Sequence, residues 1–245
     1  MSVPAALLSL VGGVLAFLVL ASAIALAFRL RRGPADPLVA NLCARILAWW
    51  VMVALLALAF SAGPAGVLVL SAGLSGLALR EFLSATLPGR FDPVLALALF
   101  GLALPVQFGA VFLGLTDVQA LALPLGGLVV LPAIFAWRGG AEGFTARVGA
   151  AFWGMMLCLY GLAHLPALAL LPFAGGAAVG VLLVAWLVLV VQAGDVAQYI
   201  WGKLFGRRPL APVLSPSKTW EGFLGGTASA VALGAALAAF TPFAL

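Results

Sequence analysis

The sequence predicts an all-α, polytopic integral membrane bundle of about eight transmembrane helices, with its N-terminus outside. Three observations carry that prediction. Hydrophobic residues make up 65% of the 245, and mean hydropathy is +1.26, well above a water-soluble domain. Apolar runs long enough for a hydrocarbon core, roughly 20 residues each, recur eight times along the chain. All twelve Lys and Arg fall in alternate connections between those runs.

The first run, 4–28, contains Ala21-Ser22-Ala23, which looks like a signal cleavage site. A secretory signal carries its positive charge first, whereas here Arg29, Arg31 and Arg32 follow the apolar run. It therefore reads as a retained helix. Runs two and three cover 46–62 and 64–82. The fourth, 94–114, is interrupted by Gly101, Pro105 and Gly109, which a span tolerates when its neighbours satisfy the freed backbone. Run five covers 118–137. Run six, 148–172, holds the chain's one histidine, His164, which reads as a packed or hydrogen-bonded residue. Runs seven and eight cover 177–200 and 220–243. Cys43 and Cys158 are too few and too far apart for a disulfide framework or a metal site. The whole chain, 1–245, reads as one membrane domain.

Charge placement tests the span count. With the N-terminus outside, Arg29, Arg31, Arg32 and Arg45 lie between spans one and two, on the inner face. Arg80 and Arg90 follow between three and four, and Arg138 and Arg147 between five and six. Lys203, Arg207, Arg208 and Lys218 lie between seven and eight. The opposite connections hold only Asp117. A wrong count would scatter the cations over both faces. This bias also explains the net charge of +5, so no nucleic-acid partner is expected.

In a chain with 8% charged residues, the stretch from Gln192 to Gly226 is exceptional. It holds Asp195, Lys203, Arg207, Arg208, Ser215, Lys218, Thr219 and Glu221. Ser215-Pro216 matches an N-cap followed by Pro at the first helical position, which would start span eight there. Lys218 would then sit in the first turn, where the helix dipole disfavours a cation unless an anion is bound. Ser215, Lys218 and Thr219 would share one helical face at i, i+3 and i+4. Gly222, Gly225 and Gly226 have the spacing of close helix approach. The plainer alternative is a positive tether with an ordinary helix start. Asp195, near the end of span seven, calls for a partner: a salt bridge to Lys203, a metal or a substrate. No nucleophile–His–acid set, zinc spacing or dinucleotide fingerprint appears.

The run Gly194-Asp195-Val196-Ala197-Gln198-Tyr199-Ile200-Trp201-Gly202-Lys203-Leu204-Phe205-Gly206-Arg207-Arg208, followed by Pro212-Val213-Leu214-Ser215-Pro216-Ser217-Lys218-Thr219-Trp220-Glu221-Gly222 and Gly225-Gly226, resembles the phosphatidate cytidylyltransferase (CDP-diacylglycerol synthase) family. Arg45 with Trp49-Trp50, Leu79-Arg80-Glu81-Phe82 and Phe152-Trp153-Gly154 are similar to a divergent bacterial branch of it. The resemblance implies that phosphatidate attacks the α-phosphorus of CTP, giving CDP-diacylglycerol and pyrophosphate. It implies catalytic roles for Lys218, Asp195 and Glu221, and substrate binding by Ser215, Thr219, Lys203, Arg207 and Arg208. Mg²⁺ is the implied cofactor, with Asp195 as a ligand. CTP, phosphatidate and membrane lipids are the implied partners, a homodimer is possible, and the implied site is the cytoplasmic face of a bacterial inner membrane. Residues 1–175 would be N-terminal helices and 176–245 the start of the catalytic region. Family members continue into a segment with a Gly-His-Gly-Gly turn and acidic metal ligands. Nothing acidic follows Glu221 here. The expectation is a C-terminally truncated chain, inactive alone. Two other functions stay open: a CTP-dependent lipid kinase, which would release no pyrophosphate, and a transporter or non-catalytic scaffold. The last fits less well, because the polar groups crowd near one face and no internal repeat appears.

Overall fold

The computed structural model describes residues 3–87, 92–138 and 141–242. Arg90 of the expected inner face and Phe243, at the end of the expected eighth span, lie outside them. Eight helices follow in order: α1 (Val3–Arg32), α2 (Pro37–Ser61), α3 (Gly63–Thr86), α4 (Pro93–Phe112), α5 (Thr116–Arg138), α6 (Phe144–Leu170), α7 (Ala177–Phe205) and α8 (Trp220–Leu237). A hairpin of β1 (Pro209–Ala211) and β2 (Ser215–Thr219) joins the last two. The first seven helices are long and apolar enough to cross a membrane. The protein is thus a polytopic all-α membrane protein. Helices are the form a segment takes where no water can serve its backbone.

Several boundaries differ from those expected. Helix α7 runs five residues beyond position 200 and includes Lys203. Helix α8 has 18 residues and closes on a short 3₁₀ turn, Ala238–Phe240.

The chain divides into two compact units, Met1–Ile46 with Phe173–Leu245, and Leu47–Pro172. In Leu47–Pro172 the core is aliphatic, built on Leu79, Leu83, Leu99, Leu131 and Leu159. Helix α4 widens into a π-turn over Leu97–Ala103. Pro105 explains it: the ring has no N–H and crowds the carbonyl four residues back. The turn relieves that crowding, and Leu104 N–H donates to the Leu99 carbonyl, five residues back. Asp92 caps α4, accepting from the Val94 and Leu95 amides at 2.7 and 3.4 Å, with Pro93 at the first turn. Its other oxygen accepts from Arg138 Nε at 2.9 Å, at the end of α5. The start of α4 and the end of α5 therefore lie on the same face, as strict alternation of spans requires. Deeper in this unit, the buried Gln107 of α4 donates to the Gln119 carbonyl of α5 at 3.1 Å. His164 Nδ1 lies 2.8 Å from the Tyr160 carbonyl, which only accepts, so this nitrogen carries the proton.

In the other unit α1 packs on α7 through Leu10 and Leu182. Helices α7 and α8 run antiparallel in close contact. A Cβ added at Gly222 would come 2.9 Å from the Gln198 carbonyl oxygen and 3.0 Å from Gly202 Cα. One added at Gly226 would come 2.8 Å from the Gln198 backbone. The glycine spacing read as a close-approach face is one.

Candidate functional site

The polar stretch folds as three parts: the end of α7, the hairpin and the first turn of α8. Helix α7 ends where the Gly206 N–H bonds the Gly202 carbonyl at 3.1 Å. The chain then turns at Arg207-Arg208 and enters a short antiparallel ladder. Pro209 pairs with Thr219 and Ala211 with Ser215, with an irregularity between the two pairs. Pro212, Val213 and Leu214 form the tip.

This corrects the expected helix start. Ser215-Pro216 does not cap α8; Ser215–Thr219 is a strand, and Thr219 is the cap. Thr219 has extended backbone angles (φ −126°, ψ 154°), and its Oγ1 accepts from Gly222 N at 3.2 Å. A local signal does not see that Pro209–Ala211 offers a strand partner to Ser215–Thr219. Lys218 is therefore not in the first helical turn, and Ser215, Lys218 and Thr219 do not share a helical face. Strand alternation puts half-buried Ser215 and Thr219 on one side and exposed Lys218 on the other. The expected conflict between the Lys218 charge and the helix dipole does not arise. The first turn instead holds Glu221, whose sign suits that end.

Glu221, at the junction of loop and helix, ties the site together. Its Oε2 accepts from the Arg207 amide at 3.0 Å and the Arg208 amide at 3.2 Å. The Arg208 carbonyl in turn accepts from Trp220 N at 3.0 Å. The Arg207 N–H, then Glu221's own N–H and that of Arg208, hold the carboxyl below the usual range. Backbone amides take this carboxylate's Oε2, the Arg208 charge adds to their pull, and the Arg207, Arg208 and Lys218 side chains stand exposed. Gly206 and Gly202 form a notch that receives Thr219: a Cβ on Gly206 would meet Thr219 Oγ1 at 2.8 Å. At the same level Trp201 Nε1 donates to Ser229 Oγ at 3.0 Å, pinning α7 to α8. No local pattern in the sequence links that pair, which lies 28 residues apart.

Asp195 is exposed on α7. Tyr199 and Lys203 follow it at i+4 and i+8 on one strip, spanning about 12 Å of helix rise. Lys203 Nζ lies 5.9 Å from the Tyr199 ring centroid. Among the described residues no ion pair joins Asp195 to Lys203, so the salt-bridge reading fails. Nor does a hydrogen bond or ion pair join Asp195 to Lys218. Among the described residues no three His, Cys, Asp or Glu side chains cluster as a metal site. Asp195 offers a single exposed carboxylate, and Mg²⁺ is commonly held by one or two carboxylates together with waters and substrate phosphates. The arrangement brings several exposed cations together around the hairpin, with the exposed carboxylate of Asp195 further along α7.

A sequence profile of the cytidylyltransferase family matches residues 43–245. The uncharacterized protein YnbB of Escherichia coli K12 is 33% identical over 185 residues, covering 74% of this chain and 59% of YnbB. The phosphatidate cytidylyltransferase of Haemophilus influenzae is 43% identical over 54 residues, 22% of this chain and 19% of that protein. That of Mycobacterium leprae is 44% identical over 61 residues, 23% and 20% of the respective lengths. The chain thus spans less than two thirds of the length of each of these relatives. No solved structure matches it.

Proposed function

The chain belongs to the cytidylyltransferase family, and from that premise we propose that it binds CTP and transfers its cytidylyl group to phosphatidate. A phosphate oxygen of phosphatidate attacks the α-phosphorus of CTP. The bond to the bridging oxygen of the β-phosphate breaks, and pyrophosphate leaves with that electron pair. The observation that carries this reading is the set of exposed cations around a hairpin whose own carboxylate is taken by backbone amides. Negative charge builds on phosphoryl oxygens during such a displacement, and fixed positive groups stabilise it most where they need not reorganise.

In this reading Lys218 contacts the phosphates, Arg207 and Arg208 draw in the nucleotide or lipid headgroup, and Lys203 extends the basic surface along α7. Ser215 and Thr219 line the half-buried side of the strand, and Thr219 fixes the start of α8. Glu221 acts as a positioning residue, holding the backbone of both arginines. Asp195 would hold Mg²⁺, which when bound supplies Lewis-acid compensation to phosphate oxygens. The membrane is proposed to be a bacterial inner membrane, with this face towards the cytoplasm, where CTP is found.

The test uses CTP labelled at the α- or the γ-phosphate, with phosphatidate in mixed micelles, run on this chain and on YnbB in parallel. Label from the α-position appearing in lipid, with release of pyrophosphate, is the expected result. Label from the γ-position in lipid would establish a kinase and sink the proposal. So would a full-length relative whose turnover is unchanged by Lys218→Ala at the matching position.

A further inference from the structure

The hairpin tip is an anomaly for a loop between polar anchors. Val213 and Leu214 are 95% and 91% exposed, adjacent to one another, and among the barest aliphatic side chains described. Neither joins a described hydrophobic cluster. Behind them stand Arg207, Arg208 and Lys218, all exposed, and at the roots of the loop Trp201 and Trp220 are exposed as well. Apolar residues at the tip, cations behind them and Trp at the base are the kinds of side chain that meet acyl chains, lipid phosphates and the headgroup level at a bilayer surface.

Lengths allow the tip to reach lipid. Helix α7 has 29 residues, about 43 Å of rise, against a hydrocarbon core of about 30 Å. Its excess length lies within the headgroup zones, which bring the bilayer to about 40–45 Å. The hairpin starts at that helix end and its longer strand has five residues, about 16 Å. Laid along the surface, it stays within the interfacial layer.

We propose that the β1–β2 hairpin is a membrane-interface anchor, with Val213 and Leu214 immersed at the acyl boundary and Arg207, Arg208 and Lys218 against anionic lipid phosphates. The charge complementarity favours a lipid surface over a protein partner: an apolar tip with three exposed cations towards the root of the same hairpin matches an anionic bilayer. Interfacial segments of this kind bind through buried apolar area together with attraction to anionic lipid. The proposal does not depend on the transfer reaction. It deepens that reading, because it would put Lys218 at the depth of a lipid phosphate.

The test places an environment-sensitive fluorophore (NBD) on Leu214→Cys, in a Cys43→Ser, Cys158→Ala background of the full chain. Glu142→Cys, in an exposed turn, serves as the control. Both are reconstituted in nanodiscs of phosphatidylcholine with and without phosphatidylglycerol. The expected result is a blue shift at position 214 and quenching by shallow spin-labelled lipid, stronger with phosphatidylglycerol, with neither at 142. Because the tip packs on nothing described, the substitution should leave the size-exclusion profile unchanged. Water-like emission at 214 in both lipid compositions would overturn the proposal. So would a blue shift that persists in detergent without lipid and disappears on dilution, which would mark a second copy of the chain as the occupant. Neither readout needs activity, so failure of the anchor and failure of the transferase reading are told apart.

Discussion

Two regions of the molecule, the paired ends of α4 and α5 and the polar hairpin between α7 and α8, treat charge and packing in opposite ways. In Leu47–Pro172, Asp92 caps α4 and takes the Arg138 side chain, so an acid and a base at helix ends satisfy each other. Along α7, the hairpin and α8, the carboxylate at the loop is instead taken by backbone amides, and the cations around it stay open. The packing differs likewise. The first unit fills its core with leucines, whereas α7 and α8 meet backbone to backbone through glycines. Neutralised ends and a filled core serve only stability. Exposed cations on a tightly fixed frame add little to stability and are free to meet an arriving anion.

The sharpest way to break that contrast is to add volume between α7 and α8. Gly226→Leu should force the helices apart and cost about 3 kcal/mol or more, since the obstacle is backbone rather than a movable side chain. Loss of monodisperse protein in detergent, or a large drop in melting temperature, would show it; an unchanged melt would mean the close approach is dispensable. Lys218→Ala should do the reverse, lowering turnover on the order of 10²-fold while the melting temperature holds. An equal fall in both would make Lys218 a structural residue.

Glu221→Gln should fall between, disturbing both fold and activity. The sign of its pH dependence follows from the lowered titration of the folded form. Its contribution is complete above the ordinary carboxylate value and is lost as pH falls through the depressed one. Melting temperature followed against pH should therefore drop on acidification in the parent and drop less in the variant. The smallest effect is expected from Arg138→Gln. Hydrogen bonding from Arg138, foremost, holds Asp92 low, and that pair is partly exposed. The same pH series should be flattened only slightly, and a shift as large as that of Glu221→Gln would erase the distinction drawn between the two regions.

Much of this was readable before any coordinates. Spans show in composition because lipid selects apolar residues position by position; the alternation of Arg and Lys pointed to eight, and seven of the helices are long and apolar enough to cross. Asp92-Pro93 is a legible cap, but its partner Arg138 lies 46 residues away, and no local pattern links them. The π-turn in α4 was only half visible: Pro105 announced a disturbance, while the turn that absorbs it depends on how the helix rewinds. Around the candidate site, the residue set was legible and its geometry was not. Ser215-Pro216 and Thr219 both look like helix caps, and the choice was made by strand pairing with Pro209–Ala211, a tertiary fact. The glycines were read correctly because a missing side chain has one common use at that spacing.

One uninterrupted helix carries Asp195, Tyr199 and Lys203, and it therefore works as a ruler. The acid and the ammonium are held two turns apart whatever the hairpin does, so a ligand gripping both must have a fixed reach. Removing a single residue between them would swing one mark about 100° around the rod, whereas exchanging the intervening residues for other helix formers would leave the gauge intact.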